Sequence, residues 1–250
     1  EELGVDSEVL WLPDTFGYTA ALPQILKGCG VNYLVTQKIF WSYNEGEQFP
    51  YHYFTWQGMD GSEIDSFLPT SYTYRTHPSE VNKIWQNRVQ VQDLDAFLLP
   101  FGYGDGGGGP ARDFIESAKR QEDLEGSVKV KMAGPLEFFH DMEAQGGPAN
   151  TYVGELYFSA HRGTYTSQAM VKQNNRRCEL ALREMEMWST LAMNKAWLMI
   201  FPKQMLYGKN FCYISSMTFF RVPVLQKFMW MQKKRSMRFW MVWKNCRQMH

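Results

Sequence analysis

No acidic residue occurs after Glu186, although the chain carries 26 Asp and Glu against 26 Lys and Arg. The 64 residues from 187 to 250 hold 11 of the basic residues, so the zero net charge divides into −11 before that point and +11 after it. Other absences narrow the chain further. No apolar run approaches the ~18 residues of a transmembrane helix. The four cysteines (Cys29, Cys178, Cys212, Cys246) are far apart and without metal-type spacing. This excludes a zinc ribbon or disulfide framework and favours free thiols in a reducing compartment. The start, Glu1-Glu2-Leu3-Gly4, is acidic and lacks the basic segment of a signal peptide. It also lacks an initiator Met, so the amino end is expected to have been cut from something longer. No internal repeat is visible. Neither the dinucleotide glycine fingerprint nor a Gly-Lys-Ser/Thr phosphate loop is present.

What remains is 250 residues, 44% hydrophobic and 16% aromatic, enough for one large domain or one and a half ordinary ones. Apolar β-type runs predict strands at 9–12, 31–36 and 96–101, with another at 128–132. Tyr51–Gln57 and Ser62–Leu68 flank a Met59-Asp60-Gly61-Ser62 turn signal and predict a hairpin. Helical periodicity predicts helices over 19–28, 78–88, 111–121 and 136–143, and a long amphipathic one over 168–192. Strands alternating with helices over the first ~140 residues argue for an α/β parallel sheet or barrel. The long helix reads as entry into a helical domain.

Asp14 is the carboxylate to examine first. It stands after the apolar run Val9-Leu10-Trp11-Leu12, where Pro13 and Gly17 open a loop. Active-site residues of α/β folds collect at the carboxyl ends of strands. Taken alone, Asp14 fits better as an N-cap for the helix after Thr19. The glycine-rich stretch Gly102-Tyr103-Gly104-Asp105-Gly106-Gly107-Gly108-Gly109 also follows an apolar run and would leave Asp105 open to a ligand. Two carboxylates at strand ends of one sheet are the equipment of glycoside hydrolysis. Aromatics spread through the loops (Phe16, Tyr18, Trp41, Tyr51, Tyr53, Trp56, Tyr72, Tyr74, Tyr103) suit the apolar faces of sugars, and equally suit a core. The pair His161-Arg162 could bind a sugar hydroxyl or serve the fold.

Three segments then carry a resemblance. They are Val9 to Leu26 (VLWLPDTFGYTAALPQIL), Leu99 to Pro110 (LPFGYGDGGGGP) and Gly154 to Gln168 (GELYFSAHRGTYTSQ). Together, and in this order, they are similar to glycoside hydrolase family 38 and resemble its cytosolic and bacterial α-mannosidases, over residues 1–204. The resemblance implies a parallel seven-stranded β/α barrel-like catalytic domain, present in part over 1–165, and the start of a three-helix bundle over 166–204. It implies a zinc-dependent retaining α-mannosidase acting on α-mannoside oligosaccharides. Asp14 takes the position of nucleophile and zinc ligand, Asp105 that of acid/base, and Phe16, Trp56, Tyr72, His161 and Arg162 are candidate substrate contacts. Retention implies carboxyl groups about 5–5.5 Å apart. The family's His-x-Asp zinc pair would lie upstream of Glu1, and its remaining zinc His is not found. The resemblance further implies a cytoplasmic enzyme and a possible homo-oligomer at full length, with no nucleic-acid or membrane partner.

The acid-free tail fits a reading-frame slip. Shifted by one base, Phe211/Cys212 and Cys212/Tyr213 each force Leu, and Met217/Thr218 forces Asp. With permitted wobble bases, Tyr207 to Val222 then reads Trp-Lys-Glu-Leu-Leu-Leu-His-Gln-Phe-His-Asp-Ile-Leu-Pro-Gly, which resembles the family's zinc-His segment. Residues 205–250 are therefore expected to be out-of-frame translation, with no selected packing pattern. With Asp14 as the one zinc ligand retained, the fragment is expected to be inactive. The alternatives are a non-catalytic carbohydrate-binding remnant and, through the basic tail, a nucleic-acid or membrane binder.

Overall fold

A computed structural model describes residues 4, 6–104 and 108–193. The expected out-of-frame tail, 205–250, lies outside the described residues, as does Asp105. The chain divides into two compact units, Glu1–His161 and Arg162–His250.

The first unit is built on a five-stranded sheet. Its elements in chain order are β1 (Val9–Trp11), α1 (Leu22–Gly28), β2 (Tyr33–Val35), α2 (Lys38–Trp41), β3 (Tyr53–Gln57), β4 (Glu63–Phe67), α3 (Pro78–Gln86), α4 (Arg112–Arg120), α5 (Pro135–Ala144) and β5 (Thr151–Val153). The strand order is β1-β2-β4-β3-β5. β1, β2 and β4 are parallel neighbours, β3 runs antiparallel to β4, and β5 pairs parallel with β3. The sheet is therefore mixed. The predicted hairpin is present as β3–β4, closed by Gly58 N–H donating to the Ser62 carbonyl at 2.8 Å.

Side-chain alternation explains why the middle strands are buried on both faces. Leu34, Phe54, Trp56 and Ile64 point to one core with Leu26, Ile39, Phe40, Phe49, Leu156 and Phe158. Tyr33, Val35, Tyr53 and Phe67 point to the other with Leu94, Phe138, Phe139 and Met142. Each such large side chain contributes about 1.5–3 kcal/mol when fully buried. The helices α1 and α2 return the chain to the first core, and α5 covers the second.

Two expected strands do not form. Residues 96–101 are extended, but among the described residues pair only through a single parallel bridge between Tyr74 and Phe101. Pro100 has no N–H to donate to a ladder; the bridge consists of Tyr74 N–H donating to the Pro100 carbonyl and Gly102 N–H donating to the Tyr74 carbonyl, both at 3.1 Å. Residues 128–132 are also without a strand partner among the described residues; Val130 N–H donates to the Gln121 carbonyl and the Lys129 and Lys131 side chains pair with surface acids. β5, unmarked in the sequence, is short with its side chains mostly exposed, so it leaves no apolar alternation to read.

The second unit contains α6 (Gly163–Thr166) and α7 (Ala169–Met193). α7 matches the expected long helix within one residue at each end. A three-helix bundle is not present among the described residues, and the sheet has five described strands rather than seven. No helix among the described residues is long and apolar enough to cross a membrane.

Candidate functional site at the carboxyl ends of three parallel strands

The register of β1 on β2 pairs Val9 with Tyr33 and Trp11 with Val35, an offset of 24 residues. Backbone pairing continues past the strands, from Leu12 N–H to the Val35 carbonyl at 3.0 Å and from Gln37 N–H to the Pro13 carbonyl at 3.2 Å. The same offset carries Asp14 to Lys38. On the other side of β2, Thr36 N–H donates to the Phe67 carbonyl at 3.2 Å and the Gln37 amide donates to the Thr70 carbonyl at 2.9 Å. That fixes the segment leaving β4, which carries Tyr72. Three adjacent parallel strand ends thus bring Asp14, Lys38 and Tyr72 to one place.

Asp14 and Lys38 form an ion pair there. Lys38 Nζ lies 2.8 Å from Asp14 Oδ1, an oxygen with no other partner among the described residues. Both side chains are largely covered, at 16% and 11% exposure. The Lys38 ammonium also lies 5.7 Å from the centre of the Trp41 ring and 5.4 Å from that of Tyr72, within cation–π range. Trp41 follows Lys38 by one helical turn of α2, which is why its ring reaches the ammonium. Burial alone would pull Lys38 toward neutrality, but the hydrogen bond and charge of Asp14 outweigh it and hold its pKa above the ordinary lysine value.

The N-cap alternative for Asp14 is set aside by the backbone. The N-cap of α1 is Ala21, with no side-chain cap and Pro23 in the first turn. Asp14 belongs instead to a loop docked on the third sequence motif. Tyr18 and Leu156 exchange backbone hydrogen bonds at 2.9 and 3.1 Å, and the Tyr18 hydroxyl donates to the Leu12 carbonyl at 2.8 Å. Gly17 makes this docking possible. Its φ is +105°, and a Cβ there would lie 3.2 Å from the Leu156 oxygen and 3.3 Å from the Phe158 nitrogen.

The other candidate residues separate into groups. Phe16 is beside this loop, stacked on Phe158 at 5.6 Å and edge-on to His161 at 4.9 Å. Trp41 meets the same Phe158 and His161 rings, and is 43% exposed. His161 is therefore close to the Asp14 loop, held at φ +57°. Trp56 is corrected from substrate contact to core. It is completely buried, and its indole N–H donates to the Gly154 carbonyl at 2.7 Å. Arg162 is the N-cap residue of α6 in the second unit, where its carbonyl accepts from Tyr165 N–H at 3.2 Å. The glycine-rich loop is closed by Tyr103 N–H donating to the Gly108 carbonyl at 3.1 Å. Its stem residue Gly104 packs so closely on Tyr72 and Thr73 that a Cβ would fall 2.1 Å from Thr73 Cγ2. The loop that carries Asp105 therefore leaves from beside Tyr72.

Lys38 was not among the expected site residues. A signal for it exists: it lies three residues past the apolar run Tyr33-Leu34-Val35, as Asp14 lies three past Val9-Leu10-Trp11. Strand adjacency is what makes that signal meaningful.

A zinc centre needs three or four donors. Among the described residues no three His, Cys, Asp or Glu side chains converge, and the one carboxylate here faces an ammonium. These residues do not by themselves fit the metal, and no step below is routed through it.

Comparison with known proteins matches residues 1–155 to the glycosyl hydrolases family 38 N-terminal domain and residues 159–213 to the alpha mannosidase middle domain. The chain is 38% identical over 208 residues to human "Alpha-mannosidase 2C1", covering 82% of this chain and 20% of that protein. It is 40% identical over 190 residues to "Alpha-mannosidase G" of Dictyostelium discoideum, covering 75% and 17%. Among solved structures, an alpha-mannosidase from Enterococcus faecalis V583 overlays with a TM-score of 0.47 at 16% identity, covering 62% of this chain and 18% of that one. The chain spans about a fifth of the length of these curated relatives. With its N-terminal domain match covering well over half of its residues, the chain belongs to glycosyl hydrolase family 38.

Proposed function

We propose that this chain is the nucleophile-bearing part of a retaining α-mannosidase that hydrolyses terminal α-mannosyl residues of oligosaccharides. The observation that carries the reading is the largely buried Asp14 carboxylate at the β1 strand end, paired to Lys38 and beside Tyr72. Family membership and the relatives' names support the substrate class.

In the proposed reaction Asp14 attacks the anomeric carbon as the bond to the leaving oxygen breaks, and Asp105 gives that oxygen its proton. Asp105 then takes a proton from water, which displaces Asp14 from the mannosyl-enzyme and regenerates the carboxylate. Phe16 and Tyr72 would offer apolar ring faces to the sugar. Zinc, by family, would supply Lewis-acid binding of sugar hydroxyls, with Asp14 as this chain's contribution to its ligands. The chain alone is proposed to be inactive toward ordinary mannosides. At full length we place the protein in the cytoplasm, as a possible homo-oligomer.

A glycosyl fluoride tests Asp14 without depending on the acid, because fluoride leaves without protonation. The chain is incubated with 5-fluoro-α-D-mannosyl fluoride and digested, and the peptide containing Asp14 is weighed. One fluoromannosyl group on Asp14, absent in Asp14→Asn, is the expected result. An adduct on another carboxylate overturns the assignment. Mannoside binding with no adduct at any concentration would favour the carbohydrate-binding remnant.

A further inference from the structure

We propose that Lys38 is a positioning residue: its ammonium takes one oxygen of Asp14 and thereby fixes the carboxylate with the second oxygen left for the reaction. The inference rests on reading Asp14 as the nucleophile. The place of this lysine three residues past an apolar run gains its meaning from the register of β1 on β2.

Three features distinguish this pair from a surface ion pair, which contributes little. Both side chains are largely covered, whereas every side chain of the ion pairs Lys129–Asp123, Lys131–Glu137 and Arg176–Glu179 is at least 48% exposed. The ammonium is placed from several sides. Asp14 holds it at 2.8 Å, and the Trp41 and Tyr72 rings stand 5.7 and 5.4 Å away. Lys38 is also the first residue of α2, whose Ile39 and Phe40 are buried in the first core, so the start of its stem is rigid.

Lys38 Nζ stands at ion-pair distance from Asp14 Oδ1, so in this proposal Oδ1 is the oxygen that is held and Oδ2 the one that attacks. A nucleophilic carboxylate needs this division. One oxygen must be aimed, because a misplacement of about 1 Å can cost ~100-fold in rate, and the other must be free to bond. A lysine suits the task through charge at one point. An arginine could replace it by directing its fork at the same oxygen. The neutral Met keeps the stem and its packing but drops the charge.

The test compares the full chain as wild type, Lys38→Met and Lys38→Arg in two measurements. The first is the rate of Asp14 mannosylation by 5-fluoro-α-D-mannosyl fluoride, resolved into the limiting rate constant and the half-saturating concentration. Lys38→Met should lower the limiting rate constant about 10–100-fold while half-saturation stays within about threefold, and Lys38→Arg should recover most of the loss. A merely structural lysine would lower the fraction of chain that reacts and leave the rate constant of the reacting fraction alone. The second measurement is independent of turnover. The carboxyl 13C resonance of Asp14, assigned by its loss in Asp14→Asn, should stay single and sharp in wild type and Lys38→Arg. In Lys38→Met it should broaden or move toward the value of a free aspartate. A Lys38→Met chain that reacts at the wild-type rate overturns the proposal, and so does one whose Asp14 resonance is unchanged. If the wild type forms no adduct, the carboxyl resonance alone decides whether Lys38 fixes Asp14.

Discussion

Gly17→Ala is the perturbation that most directly tests how the Asp14 loop is held. Two costs combine. The first is conformational: φ of +105° lies beyond the left-handed well that an alanine tolerates, and such backbone strain costs about 1–3 kcal/mol. The second is steric. The new Cβ would lie 3.2 Å from the Leu156 oxygen and 3.3 Å from the Phe158 nitrogen. Those are backbone atoms, and Leu156 is locked by its paired hydrogen bonds with Tyr18 at 2.9 and 3.1 Å. Relieving the contact stretches one or both bonds, each with a net value of about 1 kcal/mol. Together the substitution should cost about 2–4 kcal/mol. For a folded unit of this size each kcal/mol lowers Tm by about 2–4 °C, so a fall of roughly 5–15 °C follows. Thermal unfolding of wild type and variant by circular dichroism measures it. A variant that melts within about 1 °C of wild type would refute the argument that Gly17 is needed for close docking of the loop on Leu156 and Phe158.

Trp56→Ala should cost about 3–5 kcal/mol, because it empties a fully buried site and orphans the Gly154 carbonyl. A loss of mannoside affinity without loss of stability would restore Trp56 as a ligand contact. His52 gives a pH dependence. Burial, opposed only in part by the Leu68 hydrogen bond, pushes its pKa down to about 4, with the ring stacked on Phe40 and Nε2 without a partner among the described residues. The unfolded chain takes up a proton below about 6.5 that the folded chain resists. Stability should therefore be fully present above about pH 6.5, fall on acidification, and level off below about pH 4. The total is on the order of 3 kcal/mol at ~1.4 kcal/mol per pKa unit. Urea titrations at pH 7, 5.5 and 4 check this, and His52→Phe, which keeps the stacking ring, should flatten that part of the curve.

The elements with a clear local period were legible in the chain. The β3–β4 hairpin announces itself through two β-rich runs around Asp60-Gly61, and α7 through its long helical period. Residues 96–101 and 128–132 share the same local composition as strands, but among the described residues the first gains only a single bridge and the second no strand partner. Composition reports a preference for extended backbone, whereas a strand also needs a second chain within hydrogen-bonding reach. The mixed sheet was hidden for the same reason: the direction of β3 and the late arrival of β5 depend on where a distant segment returns.

The sequence by itself determined the family, through three ordered motifs, and marked Asp14 as the carboxylate at a strand end. Only the tertiary structure decided what that carboxylate meets. Parallel pairing of β1 with β2 brings residues 24 positions apart into a 2.8 Å ion pair, and β4 on the far side adds Tyr72. The same packing moved Trp56 from candidate ligand to core. Motifs record which side chains a segment carries; strand order and register, set by burial on both faces of the sheet, determine which of them share a site.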